Sequence, residues 1–102
     1  MKKISIIIPF SHYIHYLEEC LDSLKVSAFQ DFETLLVVDK EHDNVDPIIK
    51  KYPFVRLIQT DVHGVAACRN VGLAHAQGEY VYFLDADDYV LENTLGLLAE
   101  AA

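Results

Sequence analysis

Asp85, Asp87 and Asp88 place three carboxylates within four positions. Carboxylates that close repel one another, and a hard divalent cation relieves the repulsion. The run before them, Glu79 to Leu84, is aromatic and β-branched with one charge at its start, which is the pattern of a strand. A strand that ends in Asp-x-Asp carries its acids onto a loop. Ala86 is too small to stop Asp85 and Asp87 from turning toward one point. The same spacing also suits a solvated acidic turn, or a helix cap built from Asp88 and its neighbours. Spacing alone leaves these alternatives open.

Arg69 is one of two arginines and lies in Gly64-Val65-Ala66-Ala67-Cys68-Arg69-Asn70, at the start of a predicted helix. A guanidinium there suits a phosphate or carboxylate ligand. It suits an ion pair with a nearby Asp equally well. Gly64 allows the backbone to approach a ligand, or simply serves a turn. His12, His15, His42, His63 and His75 are scattered, without metal-ligand spacing to a cysteine, and only His12 falls near the expected crevice. P-loop, dinucleotide and nucleophile-elbow motifs are absent.

The elements that must position these residues alternate. Ile4 to Ile8 is a continuous β-branched run suited to a strand buried on both faces, with Pro9 ending it. Ile14, Leu17, Leu21 and Leu24 fall at helical spacing, with Ser11 as the expected N-cap. Phe32 to Asp39 forms the second strand. Asp46-Pro47 opens a short helix, as cap and first residue, that runs to about Lys51. Phe54 to Thr60 is the third strand, followed by Asp61. Val65 to about His75 is a small-residue helix whose Ala66, Ala67 and Ala74 are expected to pack on a sheet, with Gly78 as a left-handed cap. The fourth strand follows, then an amphipathic helix from Glu92 to Ala102.

The βαβαβαβα order predicts an α/β fold of three layers, with a mostly parallel sheet between helices. The 102 residues suggest one domain. Ligands of such sheets bind beyond the strands' C-terminal ends, where the strand order switches. Asp39, Asp61 and Asp85 all emerge there. If the order is 3-2-1-4, the His12 loop faces the Asp85–Asp88 loop across the crevice.

The formal charge of −8 argues against nucleic-acid or anionic-membrane partners. A phosphate ligand remains compatible if a metal bridges the like charges. Cys20 and Cys68 are expected to be buried free thiols, which fits a reducing cytoplasm. No apolar run approaches the roughly 18 residues that a membrane span needs.

Four blocks carry a resemblance. These are Ile4-Ser5-Ile6-Ile7-Ile8-Pro9, Val37-Val38-Asp39, Gly64 through Leu73, and Gly78 through Asp88. In order and spacing they resemble the N-terminal half of family 2 glycosyltransferases with the GT-A fold, a Rossmann-like nucleotide-diphospho-sugar transferase fold. The resemblance covers essentially the whole chain.

It implies a nucleoside-diphosphate sugar donor, with Asp85 and Asp87 holding Mg²⁺ or Mn²⁺ against the diphosphate. Pro9, Phe10, His12 and Asp39 would contact the nucleoside side. Gly64, Arg69 and Asp85 would complete donor binding. The reaction would be inverting transfer to a glycan or lipid-linked acceptor, as in making a surface polysaccharide. The acceptor site and general base would belong to a C-terminal half absent here, and no residue of this chain is assigned as the base. A fragment of this kind is expected to be inactive alone, and to dimerise through an uncovered sheet edge or face. The full-length protein would work in the cytoplasm or at the cytoplasmic face of the membrane.

Two positions depart from the family pattern. His12 stands where an Asn is usual, and Lys40-Glu41-His42 replaces a second acid followed by Gly-Ser. These departures favour, as alternatives, a non-catalytic interaction module that keeps the fold. A Mg²⁺-binding receiver-type signalling domain is a weaker alternative, since the first strand ends in Pro9-Phe10-Ser11 rather than in acids.

Overall fold

The computed structural model describes residues 3–40, 42–87 and 94–101. The elements run β1 (Ile4–Phe10), α1 (Ile14–Lys25), β2 (Phe32–Val38), α2 (Asp46–Lys51), β3 (Val55–Gln59), α3 (Val65–His75), β4 (Tyr80–Phe83) and α4 (Thr94–Ala101). Four strands make one sheet in the order β3-β2-β1-β4, and every pairing is parallel. The switch in strand order therefore falls between β1 and β4, the order for which the His12 loop is expected to face the acidic turn.

The lack of alternation in β1 has a direct cause, because both faces of that strand are covered. Ile4, Ile6, Ile8 and Phe10 point to one side and pack with Leu17, Leu21 and Leu24 of α1, Ile48 of α2 and Leu95 of α4. Ile7 points to the other side and packs with Leu35 and Val37 of β2, Ile58 of β3 and Cys68 of α3. Helices on both faces give the three expected layers. The outer strand β4 is only partly covered, with Tyr80 and Phe83 exposed. Cys20 and Cys68 are both buried and neither is in a disulfide, as expected.

Several local expectations are corrected. Pro9 does not end β1, which continues through Phe10 opposite Val38. Residues of a parallel strand direct their N–H and C=O alternately to the two neighbouring strands. The Ile7 carbonyl faces β4, accepting from Leu84 N at 3.0 Å, and the Phe10 carbonyl faces the β2 side, accepting from Asp39 N at 3.1 Å. The nitrogen of Pro9 therefore faces the β4 side, past the last β4 pair at Ile7↔Phe83. No ladder hydrogen bond is lost there.

Ser11 is not a helix cap. Helix α1 starts at Ile14, and the capping position is Tyr13, in the left-handed region at φ 72°. Likewise α2 begins at Asp46 itself, with Val45 before it. The Asp46 amide donates to Asn44 Oδ1 at 3.1 Å, so Asn44 makes the turn. Ala66 and Ala74 are exposed. Cys68 and Gly72 instead lie against the sheet.

Gly78 serves close approach, not a left-handed cap: α3 ends at Ala76 in an extended conformation. A Cβ on Gly78 would lie 2.6 Å from Ser5 N and 2.8 Å from Ile4 C. The Gly78 amide donates to Ser5 Oγ at 2.7 Å, and Ser5 Oγ in turn donates to Glu33 Oε2. Glu33 Oε2 also accepts from Gln77 N at 2.6 Å. This network locks the turn before β4 onto β1 and β2. Phe54 and Thr60 fall outside β3, and Glu79 and Leu84 outside β4. Glu41, Asp88 and Glu92 lie outside the described residues.

Tyr52, after α2, is fully buried and donates its hydroxyl to Asp22 Oδ1 at 2.6 Å. Burial first, and then the Asp22 hydrogen bond, push its phenol from 10.0 up to about 12. Between those two values the unfolded chain gives up this proton and the folded chain keeps it. The unfolded state then binds fewer protons, so stability falls as pH rises through that window. Tyr52→Phe should flatten the alkaline loss relative to wild type. It should also cost about 1 kcal/mol near neutral pH through the lost hydrogen bond. Urea midpoints at neutral pH and at the alkaline end of that window check both. Parallel pH profiles for the two proteins would refute the assignment.

Candidate functional site

The C-terminal ends of the strands form a crevice whose depth comes from unequal strand lengths. Strand β4 stops at Phe83, paired with Ile7, while β1 runs on to Phe10. Leu84 is still buried, and Asp85-Ala86-Asp87 then turns outward with both acids exposed. Two adjoining cavities share Pro9, Phe10, Ser11, His12 and Val65 as common lining. One, of about 410 Å³, adds Tyr13, Tyr16, Arg69, Asp85, Ala86 and Asp87. The other, of about 390 Å³, adds Asp39, His63, Gly64 and Cys68. Pro9, Phe10, His12, Asp39, Gly64, Arg69, Asp85 and Asp87 thus line two adjoining cavities, while Asp61 lines neither and Asp88 lies outside the described residues. The His12 loop does face the Asp85–Asp87 turn. Phe10 also packs with the core, and its carbonyl accepts from the Asp39 amide at 3.1 Å.

Arg69 stands on the first turns of α3 and reaches across the mouth of the crevice. Its Nη2 donates to Asp85 Oδ1 at 2.8 Å, and both side chains are partly exposed. The guanidinium carbon sits 5.7 Å from the centre of the Phe83 ring, in cation–π range. Its Nε is buried without a hydrogen-bond partner among the described residues. The ion-pair reading of Arg69 is therefore realised in this state, within a cavity large enough for a ligand.

Asp39 is the buried acid of the site, with its side chain 5% exposed. Its Oδ2 lies 3.5 Å from the Gly64 amide and 3.7 Å from His63 Nδ1. Burial, aided by the Asp39 charge, pushes the neighbouring Cys68 thiol up. Cys68 is thus a packing thiol rather than a nucleophile. Gly64 has φ +97° with nothing within 4 Å of a Cβ position. Backbone conformation, rather than space, calls for glycine there.

Asp43 escaped the sequence reading, and it organises one wall. Its Oδ2 accepts from the Tyr13 amide at 3.1 Å and its Oδ1 from His12 Nδ1 at 3.0 Å. The His12 hydrogen bond in particular holds the Asp43 carboxyl below the usual carboxylate range. The Asp43 amide donates to the Ser11 carbonyl at 2.6 Å. These bonds fix the loop after β1 and hold Tyr13 in its left-handed conformation. His42 Nδ1 donates to the Asp39 carbonyl at 2.9 Å, so part of the unusual Lys40-Glu41-His42 segment braces the crevice. Asp43 and Tyr13 carried no spacing signal: their partnership spans a whole βα unit.

Asp85 and Asp87 are the residues that could hold a divalent cation here. Among the described residues no group of three or more His, Cys, Asp or Glu side chains gathers into a protein-only cage. Asp85 and Asp87 supply two carboxylates beside a cavity. Mg²⁺ takes such a set, one or two carboxylates completed by substrate phosphates and water. Mn²⁺ favours the same oxygen donors.

Residues 5–102 match the model of glycosyl transferase family 2. The chain is 35% identical to the uncharacterized glycosyltransferase EpsJ of Bacillus subtilis, over 97% of this chain and 30% of EpsJ. Among solved structures it is similar to residues 1-349 of Staphylococcus aureus TarS in complex with UDP-GlcNAc, with TM-score 0.87 and 34% identity. That match covers 96% of this chain and 30% of the TarS chain. It is also similar to the mannosyltransferase PcManGT of Pyrobaculum calidifontis in complex with GDP-Man and Mn²⁺. There the TM-score is 0.77 at 25% identity, over 91% of this chain and 30% of the other. The chain therefore spans about 30% of these relatives' length.

Proposed function

The chain belongs to glycosyl transferase family 2, and from that premise we propose that it forms the donor-binding half of a metal-dependent, inverting glycosyltransferase. The observation that carries this reading is the placement of Asp85 and Asp87 across one crevice from the β1 loop and Asp39. The match to TarS in complex with UDP-GlcNAc and to PcManGT in complex with GDP-Man and Mn²⁺ supports a nucleoside-diphosphate sugar as donor.

In this reading Asp85 and Asp87 hold Mg²⁺ or Mn²⁺, which when bound supplies Lewis-acid stabilisation of the leaving diphosphate. A crevice this acidic accepts a diphosphate only with its charge balanced, and Arg69 adds the protein's own positive charge at the same mouth. Pro9 and Ser11 give the floor on which the ligand lies. His12, clamped by Asp43, borders both cavities. Asp39 and Gly64 lie at the far end, where the nucleoside binds. Asp39 is acceptor-only when ionised, so it selects a base or ribose that presents an N–H or O–H.

The acceptor hydroxyl attacks the sugar from the face opposite the diphosphate. The acceptor site and general base lie in the remainder of a longer protein, with the sugar going to a glycan or lipid-linked acceptor in the cytoplasm or at its membrane face. Among the described residues no helix is long and apolar enough to cross a membrane.

Calorimetric titration with UDP, GDP and their sugar conjugates, with and without Mn²⁺, tests the reading. The expected result is binding that requires the cation, without sugar transfer by this chain alone. Absence of metal-dependent binding for every nucleotide would leave the interaction-module alternative standing.

A further inference from the structure

Resting on that donor-binding reading, we infer that Arg69 is an exchange cation: it holds Asp85 while the crevice is empty and moves to the diphosphate when Asp85 takes up a divalent metal. Three observations carry this. The first is position. Arg69 and Asp85 meet at 2.8 Å inside the cavity that Asp87 also lines, so guanidinium and metal call on the same carboxylate. Two cations served by one carboxylate repel each other strongly at such distances.

The second is incomplete satisfaction. The pair uses Nη2 on Asp85 Oδ1, while Nε is buried and has no partner among the described residues. Arginine–carboxylate pairs frequently use the guanidinium fork in a bidentate way. Here a donor is left over, at a cost that a multi-oxygen anion in the cavity would remove. The third is the platform. Phe83 lies under the guanidinium at 5.7 Å, and its ring can support the cation face-on in more than one in-plane orientation. Arg69 can thus turn from the carboxylate toward the cavity without losing its support.

The exchange has two opposed consequences for binding. Without nucleotide, Arg69 competes with the metal for Asp85, and removing it should tighten the crevice's hold on Mn²⁺. With nucleotide, Arg69 contributes to the diphosphate, and removing it should weaken the ternary complex. A merely structural ion pair moves both affinities in the same direction or neither. The experiment measures Mn²⁺ binding by electron paramagnetic resonance, alone and with saturating UDP or GDP, for wild type, Arg69→Gln, Arg69→Lys and Asp87→Ala.

The expected result for Arg69→Gln is a severalfold rise in affinity for Mn²⁺ alone, with a roughly tenfold fall in Mn²⁺-dependent nucleotide affinity. Arg69→Lys, which keeps the charge but not the fork, should leave Mn²⁺ binding near wild type and recover only part of the nucleotide affinity. Unchanged or parallel shifts in Arg69→Gln, with Asp87→Ala still abolishing Mn²⁺ binding, would overturn the exchange and leave the donor-site reading intact. Mn²⁺ binding that survives Asp87→Ala would overturn the donor-site reading itself. Thermal melting of each variant identifies any that fails to fold, and for such a variant the Arg69→Lys comparison decides.

Discussion

Asp87→Ala should reduce metal-dependent nucleotide binding on the order of 100-fold or more, since even outer-shell partners of metal ligands contribute about 10–100-fold. Asp87 is the cleaner of the two acids to remove. Asp85 is engaged by Arg69, so its loss would strand a guanidinium as well as a ligand. Asp87 is exposed on the turn, and its removal leaves the core untouched. The melting temperature should therefore stay near wild type, because surface substitutions away from special features move stability by about 0.5 kcal/mol or less. Calorimetry with Mn²⁺ and the preferred nucleotide gives the affinity, and a thermal scan gives the control. Wild-type affinity in a folded Asp87→Ala protein would remove the metal from the account.

The second large effect is on stability. Gly78→Ala would drive a methyl group into main chain, with Ser5 N at 2.6 Å, Ser5 Oγ at 2.7 Å and Ile4 C at 2.8 Å. Strand β1 is paired on both sides there and cannot retreat: Ile4 faces Phe32 on one side and Tyr80 on the other. Relief would have to come from the turn, at the expense of the Gly78–Ser5 and Gln77–Glu33 hydrogen bonds. Overpacking costs about 1–3 kcal/mol, and a backbone clash with lost hydrogen bonds sits at or above the upper end. For a domain of this size that is a fall of roughly 12 °C or more in melting temperature.

Gly72→Ala is the informative comparison. Its Cβ would meet Ile7 Cγ2 at 2.5 Å, but a side chain can rotate where main chain cannot. The loss should be smaller for Gly72 than for Gly78. A milder effect at Gly78 than at Gly72 would show that the turn before β4 is not the rigid lock described.

The architecture was legible because the signals for it are local and redundant. A doubly buried strand such as β1 must be apolar at every position, and alternating strand and helix patterns leave few topologies. The candidate site was legible for the same reason: Asp39 follows directly on β2 and Asp85 follows β4 with only Leu84 between, so topology alone brings both to one end of the sheet. What escaped depends on distant partners. Pro9 is a strand breaker in isolation and harmless where its neighbour has already stopped. Ser11 is a good cap by type, yet Asp43 takes control of the chain 30 residues away in sequence by binding the Tyr13 amide. Gly78 has the right place for a helix cap, but the constraint on it comes from Ser5, 73 residues earlier.

The step between the short β4 and the longer β1 has a consequence for how such a protein can change over generations. The floor of the crevice lies where β1 runs on past the end of β4, and Pro9 and Phe10 line both cavities there. Heritable variation is channelled to the rim, where exposed lining residues such as Tyr16 and Val65 can be exchanged without unpicking the interior. Under the proposed function, preference for one donor over another can therefore drift while the shelf beneath it stays put.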